Sequence, residues 1–460
     1  MNIYIHLENI IRELDGKLLT SVLAASRGHE VIISDAESIE KGIKRGFLAP
    51  GIFHTKSLTP GEKKISTFKD IIKKRNLVTS LDEEGGLIRD NYHNFLKERY
   101  SEKTVKDASA IFCYGMDDSK TLKKVFSKYR SKIHKTGSPR VDLWQNSFLK
   151  YWELPKKFSK KPFLLVISNM SFANFARPFK EIINTQVKNG LYQFKPSMFK
   201  ETFLRASDQF KTILAFIEAI KYLANNNKGY DIILRPHQNE DIESWNIFLK
   251  GVPNVYVNRE GSITGWINNS FAVMHNGCTS ALEATVSKKP ILTYTPNKQN
   301  LFGNNLPNKL GYKIKTKNQL LSKVNYLFKN MKLKRKSSTA KKMSKIVINK
   351  IFIDNKELAA KKIIKQWEKL SKSKNDLSES NNWFMFKLLL KTMKINGIRN
   401  RIFKNLFTKK MNNKTSSYKF PPFEADDIYM RIKKLRKILK IKKDLKYKLL
   451  SDKTILIKLR

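Results

Sequence analysis

The chain has 460 residues, more than one hydrophobic core usually organises, so its length predicts two domains with additional segments. Its hydrophobic content of 41% is ordinary for a water-soluble protein, and no apolar run approaches the roughly 20 residues that a membrane-spanning helix needs. The formal charge of +50, of which residues 331–460 carry +28, is typical of proteins that meet nucleic acid, anionic lipid or polyanionic substrates, and charge alone does not choose among these partners.

The first 150 residues predict a Rossmann-like domain. Residues 3–7 form an apolar run typical of a strand, residues 10–27 carry apolar positions at helical spacing, and residues 31–34 predict a second strand. Further strand-like runs, separated by predicted helices, follow at residues 51–54, 77–80, 110–114 and 133–136. This alternation predicts a parallel sheet of the α/β class with helices on both faces.

Polar residues at the ends of these strands are candidate substrate-binding groups. Glu8 and Arg12 come just past the first strand, and Arg140 follows a Gly-containing turn after the last one. Because the carboxyl ends of parallel strands meet at one edge of a sheet, we expect such residues near a cleft. The loop that holds Arg140 could equally close the first domain.

An acidic stretch, SLDEEGG at residues 80–86, directly follows another apolar strand. Neighbouring carboxylates repel one another, and this raises at least one pKa toward the range of a general base. The pattern therefore predicts Glu83 and Glu84 as catalytic candidates and Asp82 as a substrate-binding residue. A solvated acidic turn is the alternative interpretation.

A Lys-rich linker containing proline leads to a second predicted Rossmann-like domain over residues 160–370, with a long amphipathic helix near residues 208–225. Its second strand ends in Arg235-Pro236-His237, where the proline stops the strand and keeps Arg235 extended. A guanidinium suits a phosphate, and an imidazole can donate to a leaving oxygen atom. We therefore predict that Arg235 binds the substrate and that His237 is catalytic, with a structural histidine as the alternative.

Residues 271–295, FAVMHNGCTSALEATVSKKPILTYT, predict a strand, a glycine turn, a helix and another strand. Such a βαβ unit places backbone N–H groups and the positive end of a helix dipole at the carboxyl edge of the sheet, where an anion can bind. The substrate-binding candidates here are Asn276, Gly277, Thr279, Ser280 and Glu283. The alternative is that Thr279 or Ser280 merely caps the helix.

The last segment, residues 371–460, predicts a basic helical extension. Residues 383–409 and 426–442 read as basic amphipathic helices. They could dock on anionic lipid, form a solvated face or pack on the first domain. Two distant cysteines and no recognisable signal peptide predict a cytoplasmic protein, peripheral at the inner face of the cytoplasmic membrane if the tail binds lipid.

The order of these motifs resembles a known family. The acidic DEEG loop, Arg235-Pro236-His237, the HNGCTSALEA turn, the opening IHLENIIRELDGKLL, TGSPRVDL and GSITGWI are similar to bacterial surface-carbohydrate biosynthesis proteins of the GT-B glycosyltransferase type. More distantly, the chain resembles bacterial sialyltransferases and capsule transferases, although Gln238 stands where the sialyltransferase motif has proline.

The resemblance implies two Rossmann-like domains that face each other across a cleft. It implies that Glu83 or Glu84 acts as the base, that His237 assists the departing nucleotide phosphate, and that Thr279 and Ser280 bind that phosphate. The donor substrate would be a nucleotide-sugar, and the acceptor a glycan or lipid-linked molecule.

Basic residues can neutralise a leaving diphosphate, so we expect no obligatory metal and no other cofactor. Two alternatives remain. One is a nucleotide-sugar epimerase or hydrolase, because fold does not fix reaction. The other is a basic nucleic-acid-binding protein, although no recognition module is apparent and no nucleic acid is expected as partner.

Overall fold

The computed structural model describes residues 1–82, 96, 99–158, 160–176, 181, 183–184, 187, 196–227, 229–297, 305–331, 347–373, 377, 379–407 and 420–460. The chain divides into two compact units. Unit 1 comprises residues 1–86, 91–151 and 348–460, and unit 2 comprises residues 87–90 and 152–347. Each unit is an α/β structure, as the sequence predicts.

The strands are β1 (Asn2–His6), β2 (Glu30–Ser34), β3 (Gly51–Thr55), β4 (Leu77–Leu81), β5 (Ala110–Cys113), β6 (Ile133–Lys135), β7 (Phe163–Ile167), β8 (Asp231–Arg235), β9 (Val255–Val257), β10 (Ala272–His275), β11 (Ile291–Tyr294), β12 (Tyr312–Ile314), β13 (Leu445–Ser451) and β14 (Thr454–Leu459). Every strand predicted from the sequence is present. The sequence analysis missed the last strand of unit 2, β12, and the two strands of the C-terminal region, β13 and β14.

The helices are α1 (Ile10–Ser26), α2 (Ala36–Lys44), α3 (Glu62–Lys73), α4 (Glu102–Asp107), α5 (Met116–Val125), α6 (Pro139–Asp142), α7 (Pro196–Asn225), α8 (Ile242–Phe248), α9 (Ile263–Asn269), α10 (Ser280–Val286), α11 (Asn305–Asn308), α12 (Lys317–Lys329), α13 (Ala359–Lys372), α14 (Trp383–Phe407) and α15 (Ala425–Ile438). Short 3-10 turns occur at Ser127–Lys132, Asn146–Tyr151 and Lys156–Phe158. In the described part of the chain, no helix is both long enough and apolar enough to cross a membrane.

The sheet of unit 2 has the order β12-β11-β10-β7-β8-β9, and all its strands are parallel. Counted from β7, this is the strand order of dinucleotide-binding doubly wound sheets. The chain runs outward from β7 on one side and from β10 on the other. The crevice at the carboxyl ends of β7 and β10 is therefore the switch point where such folds bind ligands.

The sheet of unit 1 has the order β13-β14-β2-β1-β3-β4-β5-β6. The strands from β2 to β6 are parallel, and β14 joins β2 in the antiparallel direction. The C-terminal residues therefore complete the sheet that the N-terminal residues begin.

The C-terminal region packs on the first domain, which is one of the alternatives that the sequence left open. Phe386, Leu389 and Leu390 of α14 enter the apolar core of unit 1. In α15, Arg431 forms an ion pair with the buried Asp15 of α1, at 2.5 Å between Nη1 and Oδ1. The two predicted helices are present, and the hairpin of β13 and β14 is an addition to them.

The domain boundary that the sequence places at residue 370 differs from the division in the structure. Residues 348–370 lie in unit 1 and not with the second domain. The reason is the apolar face of α13, where Ile363, Ile364 and Trp367 are buried. The Trp367 indole N–H also donates to Thr79 Oγ1 of β4 at 3.0 Å.

The hairpin should contribute directly to the stability of unit 1. Ile457 of β14 is fully buried, whereas Leu459 of the same strand is 38% exposed. We expect Ile457→Ala to lower the free energy of unfolding by about 2–5 kcal/mol, the usual cost of truncating a buried Ile. Urea denaturation would measure it, with Leu459→Ala as the control that changes stability little. Equal effects of the two substitutions would contradict the packing of β14 on unit 1.

Candidate functional site

The loops at the carboxyl edge of the unit 2 sheet are joined by hydrogen bonds. Asn169, just after β7, donates from Nδ2 to the carbonyl of Gly277, just after β10, at 3.2 Å. The Gly277 N–H in turn donates to Asn308 Oδ1 at 2.7 Å. Gly277 has φ +70°, a conformation that glycine adopts without strain. The glycine turn is thus fixed at the switch point of the sheet.

A buried carboxylate, Glu240, ties together the loops after β7 and β8. Its Oε2 accepts from Ser168 Oγ at 2.8 Å, and its Oε1 accepts from the Met170 N–H at 2.8 Å. The indole N–H of Trp245 donates to the same carboxylate at 2.8 Å. Burial raises the pKa of Glu240, and these hydrogen bonds oppose that rise. The carboxylate is thereby the common acceptor for three donors from two chain segments, the loop after β7 and α8.

His237 lies half-buried in the loop after β8, as the sequence predicts. Its Nδ1 accepts a hydrogen bond from the Asn239 N–H at 3.3 Å. An accepting Nδ1 carries no proton, so the neutral ring is protonated at Nε2. The Arg259 guanidinium holds the loop by donating to the carbonyl of Glu240 at 3.0 Å. This tautomer suits a donor to a leaving oxygen atom, and the catalytic role of His237 stays a prediction.

The prediction that Arg235 is displayed for a phosphate requires correction. Arg235 is buried, and Nη1 and Nη2 donate to the carbonyl groups of Glu260, at 2.7 Å, and Gly261. Burial, and after it the nearby charge of Arg259, lowers the pKa of its guanidinium to about 10. In this structure Arg235 fixes the start of the loop that precedes α9.

The turn after β10 keeps the features that predict an anion site. Thr279 is exposed and makes no capping hydrogen bond with its side chain, which argues against the capping alternative for this residue. Among the described residues, the N–H groups of Cys278 and Thr279 have no hydrogen-bond acceptor. Ser280 and Asn276 are half-buried beside them. Backbone N–H groups of this kind can bind a phosphate oxygen atom.

Two titratable residues next to the turn, Glu283 and His275, are buried. Glu283 is buried inside α10, so its predicted contact with substrate is not what the structure shows. His275 is also buried, and its Nε2 lies 3.1 Å from Thr293 Oγ1. Burial lowers the pKa of His275 to about 3, which keeps the ring neutral.

The carboxyl edge of the unit 1 sheet carries a separate charged cluster. Glu8 pairs with Lys56, and Arg12 donates from Nη2 to Glu13 Oε1 at 3.3 Å. Lys17 lies 3.4 Å from the other oxygen of Glu13. Burial alone would raise the pKa of Glu13, but nearby cations, first of all Lys17, outweigh it and hold this pKa at about 2. The Glu8 N–H also donates to Glu13 Oε2 at 3.1 Å, so the predicted residues Glu8 and Arg12 belong to one network.

The remaining candidate residues of the first domain lie in different surroundings. Asp82 is buried in a two-point ion pair with Arg99, whose Nε and Nη2 lie 2.8 and 2.5 Å from its oxygens. It is therefore a structural anchor and not an exposed binding group. The Arg140 guanidinium stacks on the Trp144 ring at 5.2 Å. Glu83 and Glu84, the predicted catalytic bases, lie outside the described residues.

Sequence reasoning missed the residues that build the unit 2 site, namely Asn169, Glu240 and Arg259. Each is a single polar residue in a loop, and its partners are brought to it by the sheet. The described residues hold no group of three or more His, Cys, Asp or Glu side chains that could bind a metal ion. The expectation that the protein needs no metal stays a prediction.

Comparison with solved structures places both units in one known fold. A crystal structure from Listeria monocytogenes, assigned as a UDP-N-acetylglucosamine 2-epimerase, is similar over 81% of this chain and 97% of its own, at TM-score 0.50 and 13% identity. A variant of the wall teichoic acid polymerase TagF is similar over 82% of this chain and 90% of its own, at TM-score 0.50 and 12% identity. No family model and no curated sequence matches the chain.

The chain has the GT-B-type fold. Both kinds of neighbour share this fold, so the comparison confirms the predicted architecture class and the α/β assignment. At such low identity, the likeness concerns the fold alone. The sequence resemblance to sialyltransferases has no counterpart among these structures.

Removing the carboxylate of Glu240 should loosen the site. In Glu240→Ala, the donors of Ser168, Met170 and Trp245 lose their common acceptor. We expect a loss of about 3 kcal/mol in the free energy of unfolding, because buried donors without partners cost roughly 1–3 kcal/mol each. Urea denaturation would measure the loss, and Glu243→Ala, at an exposed position of α8, is the matched control. A stable Glu240→Ala protein would show that the loops do not depend on this carboxylate.

Buried His275 should make the protein sensitive to acid. Its folded-state pKa of about 3 lies below the ordinary 6.5, so the unfolded chain binds a proton first as the pH falls. The stability that it contributes is complete above pH 6.5 and decreases toward pH 3, by up to about 1.4 kcal/mol per pH unit. Urea denaturation from pH 7 to 4 would measure the slope. His275→Gln, which does not titrate, should have the shallower slope, and an unchanged slope would contradict the assignment.

Proposed function

We propose that this protein is a glycosyltransferase that moves a sugar from a nucleotide-sugar to a cell-surface polysaccharide or a lipid-linked acceptor. The main support is the edge of the unit 2 sheet, where the glycine turn and His237 follow strands next to the switch point. The fold shared with a teichoic acid polymerase and with a UDP-N-acetylglucosamine 2-epimerase supports a nucleotide-linked substrate.

In the proposed reaction, the donor phosphates bind the N–H groups of Cys278 and Thr279 and the hydroxyl groups of Thr279 and Ser280. The bond between the sugar C1 and the phosphate oxygen breaks, and the acceptor oxygen forms the new bond to C1. Glu83 or Glu84 accepts the acceptor proton in this proposal. His237 donates from Nε2 to the leaving phosphate oxygen and so stabilises the charge that develops there.

The edge also offers neutral and cationic donors in place of a metal. Arg259, which donates to the backbone of the His237 loop, would add positive charge near the leaving group. Arg235 supports the loop that precedes α9 from inside. We therefore keep the proposal of a metal-independent reaction, with the nucleotide-sugar as substrate and no resident cofactor.

A nucleotide-sugar epimerase is the second candidate, because one of the two kinds of structural neighbour carries that assignment. An epimerase needs no acceptor and returns an isomer of the nucleotide-sugar. A transferase releases free nucleotide only in step with glycosylation of an acceptor, and a hydrolase releases it together with free sugar. Product analysis with and without acceptor distinguishes the three reactions.

The first experiment is a thermal-shift screen with CMP-, CDP-, UDP- and GDP-linked sugars. A ligand that binds only the folded protein raises its melting temperature, by mass action. The stabilising donor is then used to measure nucleotide release with isolated cell-envelope glycans as acceptors. Absence of any shift across the panel would remove the nucleotide-sugar proposal.

The catalytic role of His237 gives the sharpest test. We expect His237→Ala to lower kcat about a hundredfold, the lower range for loss of one charge-stabilising hydrogen-bond donor, with little change in melting temperature. Lys250→Ala, at an exposed position of the same unit, is the control with normal turnover. Full activity of His237→Ala would contradict the assigned role. If only KM rises, His237 binds the donor without assisting the leaving group.

A further inference from the structure

Helix α14 has two apolar faces, and among the described residues one of them packs against the rest of unit 1. Phe386, Leu389 and Leu390 are buried in the core of unit 1, with Met393 against the same cluster. At 100° per residue these four positions span one side of the helix. This side explains why the helix is held on unit 1.

The opposite side exposes a second apolar stripe to solvent. Phe384 is 76% exposed, Leu388 48%, Ile395 55% and Ile398 51%. The spacings of four, seven and three residues place these side chains within about 80° of one another, opposite the buried side. Scattered single apolar residues are normal on a protein surface, but four on one helical stripe are a contiguous patch.

Basic residues accompany this stripe. Lys387 and Lys394 flank it on one side, Arg399 lies on the other, and Lys391 falls within it. All four are exposed, and Lys394 is the member with a described ion pair, at 3.6 Å to Asp452. A helix with an apolar stripe bordered by Lys and Arg lies in the plane of a membrane interface, with its apolar side chains among the acyl chains and its cations at the head groups.

We propose that this face of α14 docks on an anionic lipid bilayer. The argument for lipid over another protein is charge complementarity, because the four cations around the stripe match a surface of negative head groups. The long, flexible side chains of Lys and Arg can also extend to the head groups while the helix itself lies deeper in the interface. The proposal goes beyond sugar transfer and does not depend on it. The proposed lipid-binding surface is this one stripe of α14 and not the whole basic C-terminal region. The other side of the helix anchors it to unit 1.

The test is flotation of the 460-residue protein with vesicles of phosphatidylcholine alone or of phosphatidylcholine mixed with anionic phosphatidylglycerol. We expect binding to the anionic vesicles and a steep decrease on raising the salt concentration, because salt screens charges beyond about 10 Å at 0.1 M. The double variant Phe384→Ser/Ile395→Ser should reduce the partition coefficient at least about tenfold.

A charge variant, Lys387→Gln/Lys391→Gln, should reduce binding to anionic vesicles and leave the weak binding to neutral ones unchanged. The matched control is Ile247→Ser/Ile348→Ser, two exposed isoleucines outside α14, which should bind like the unaltered protein. Circular dichroism and melting temperature check that every variant is folded, as expected for exposed positions.

Two outcomes would overturn the proposal. One is equal vesicle binding by the Phe384→Ser/Ile395→Ser variant and the control. The other is absence of vesicle binding together with a dimer, seen by light scattering, that the same double variant dissociates; the stripe would then bind a second copy of the chain. Nucleotide-sugar binding measured on the same samples separates a failure of this proposal from a failure of the proposed activity.

Discussion

The carboxylate of Glu240 is the interaction on which the unit 2 site depends. A charged group buried in the protein interior is costly unless it is hydrogen-bonded, and here a hydroxyl, a backbone N–H and an indole N–H satisfy it. Because these donors come from the loop after β7 and from α8, the carboxylate sets the distance between neighbouring strand ends. The position of His237, three residues earlier, follows from that constraint.

A similar logic applies to Arg235 and Arg259. Both guanidinium groups donate to backbone carbonyls, and both are close enough for their charges to interact. Two cations held near each other at a sheet edge add positive charge there, which the carboxylates of Glu260 and Glu283 offset in part. Such a region favours an anion in the crevice even where the guanidinium groups do not contact it.

The fold followed from the sequence because buried parallel strands are short apolar runs between polar turns, a pattern that survives in this Lys-rich composition. β13 was missed because Leu445, Tyr447 and Leu449 alternate with lysines, which resembles a basic amphipathic segment when the partner strand is unknown. Arg235 was misread for a related reason. A guanidinium at a strand end looks the same whether it meets a phosphate or the carbonyl groups of residues 25 positions further on, and only the tertiary structure brings those carbonyls close.

The place of β14 beside β2 has a consequence for synthesis. Residues 152–347 make up nearly all of unit 2 and leave the ribosome before the last strand of unit 1 exists. Until residues 454–459 emerge, β2 presents an open edge with unpaired N–H and C=O groups, the kind of surface that recruits other chains. Unit 2 can therefore fold before unit 1 is complete. Until residues 454–459 pair with β2, the exposed edge of β2 is open to aggregation and to binding by chaperones.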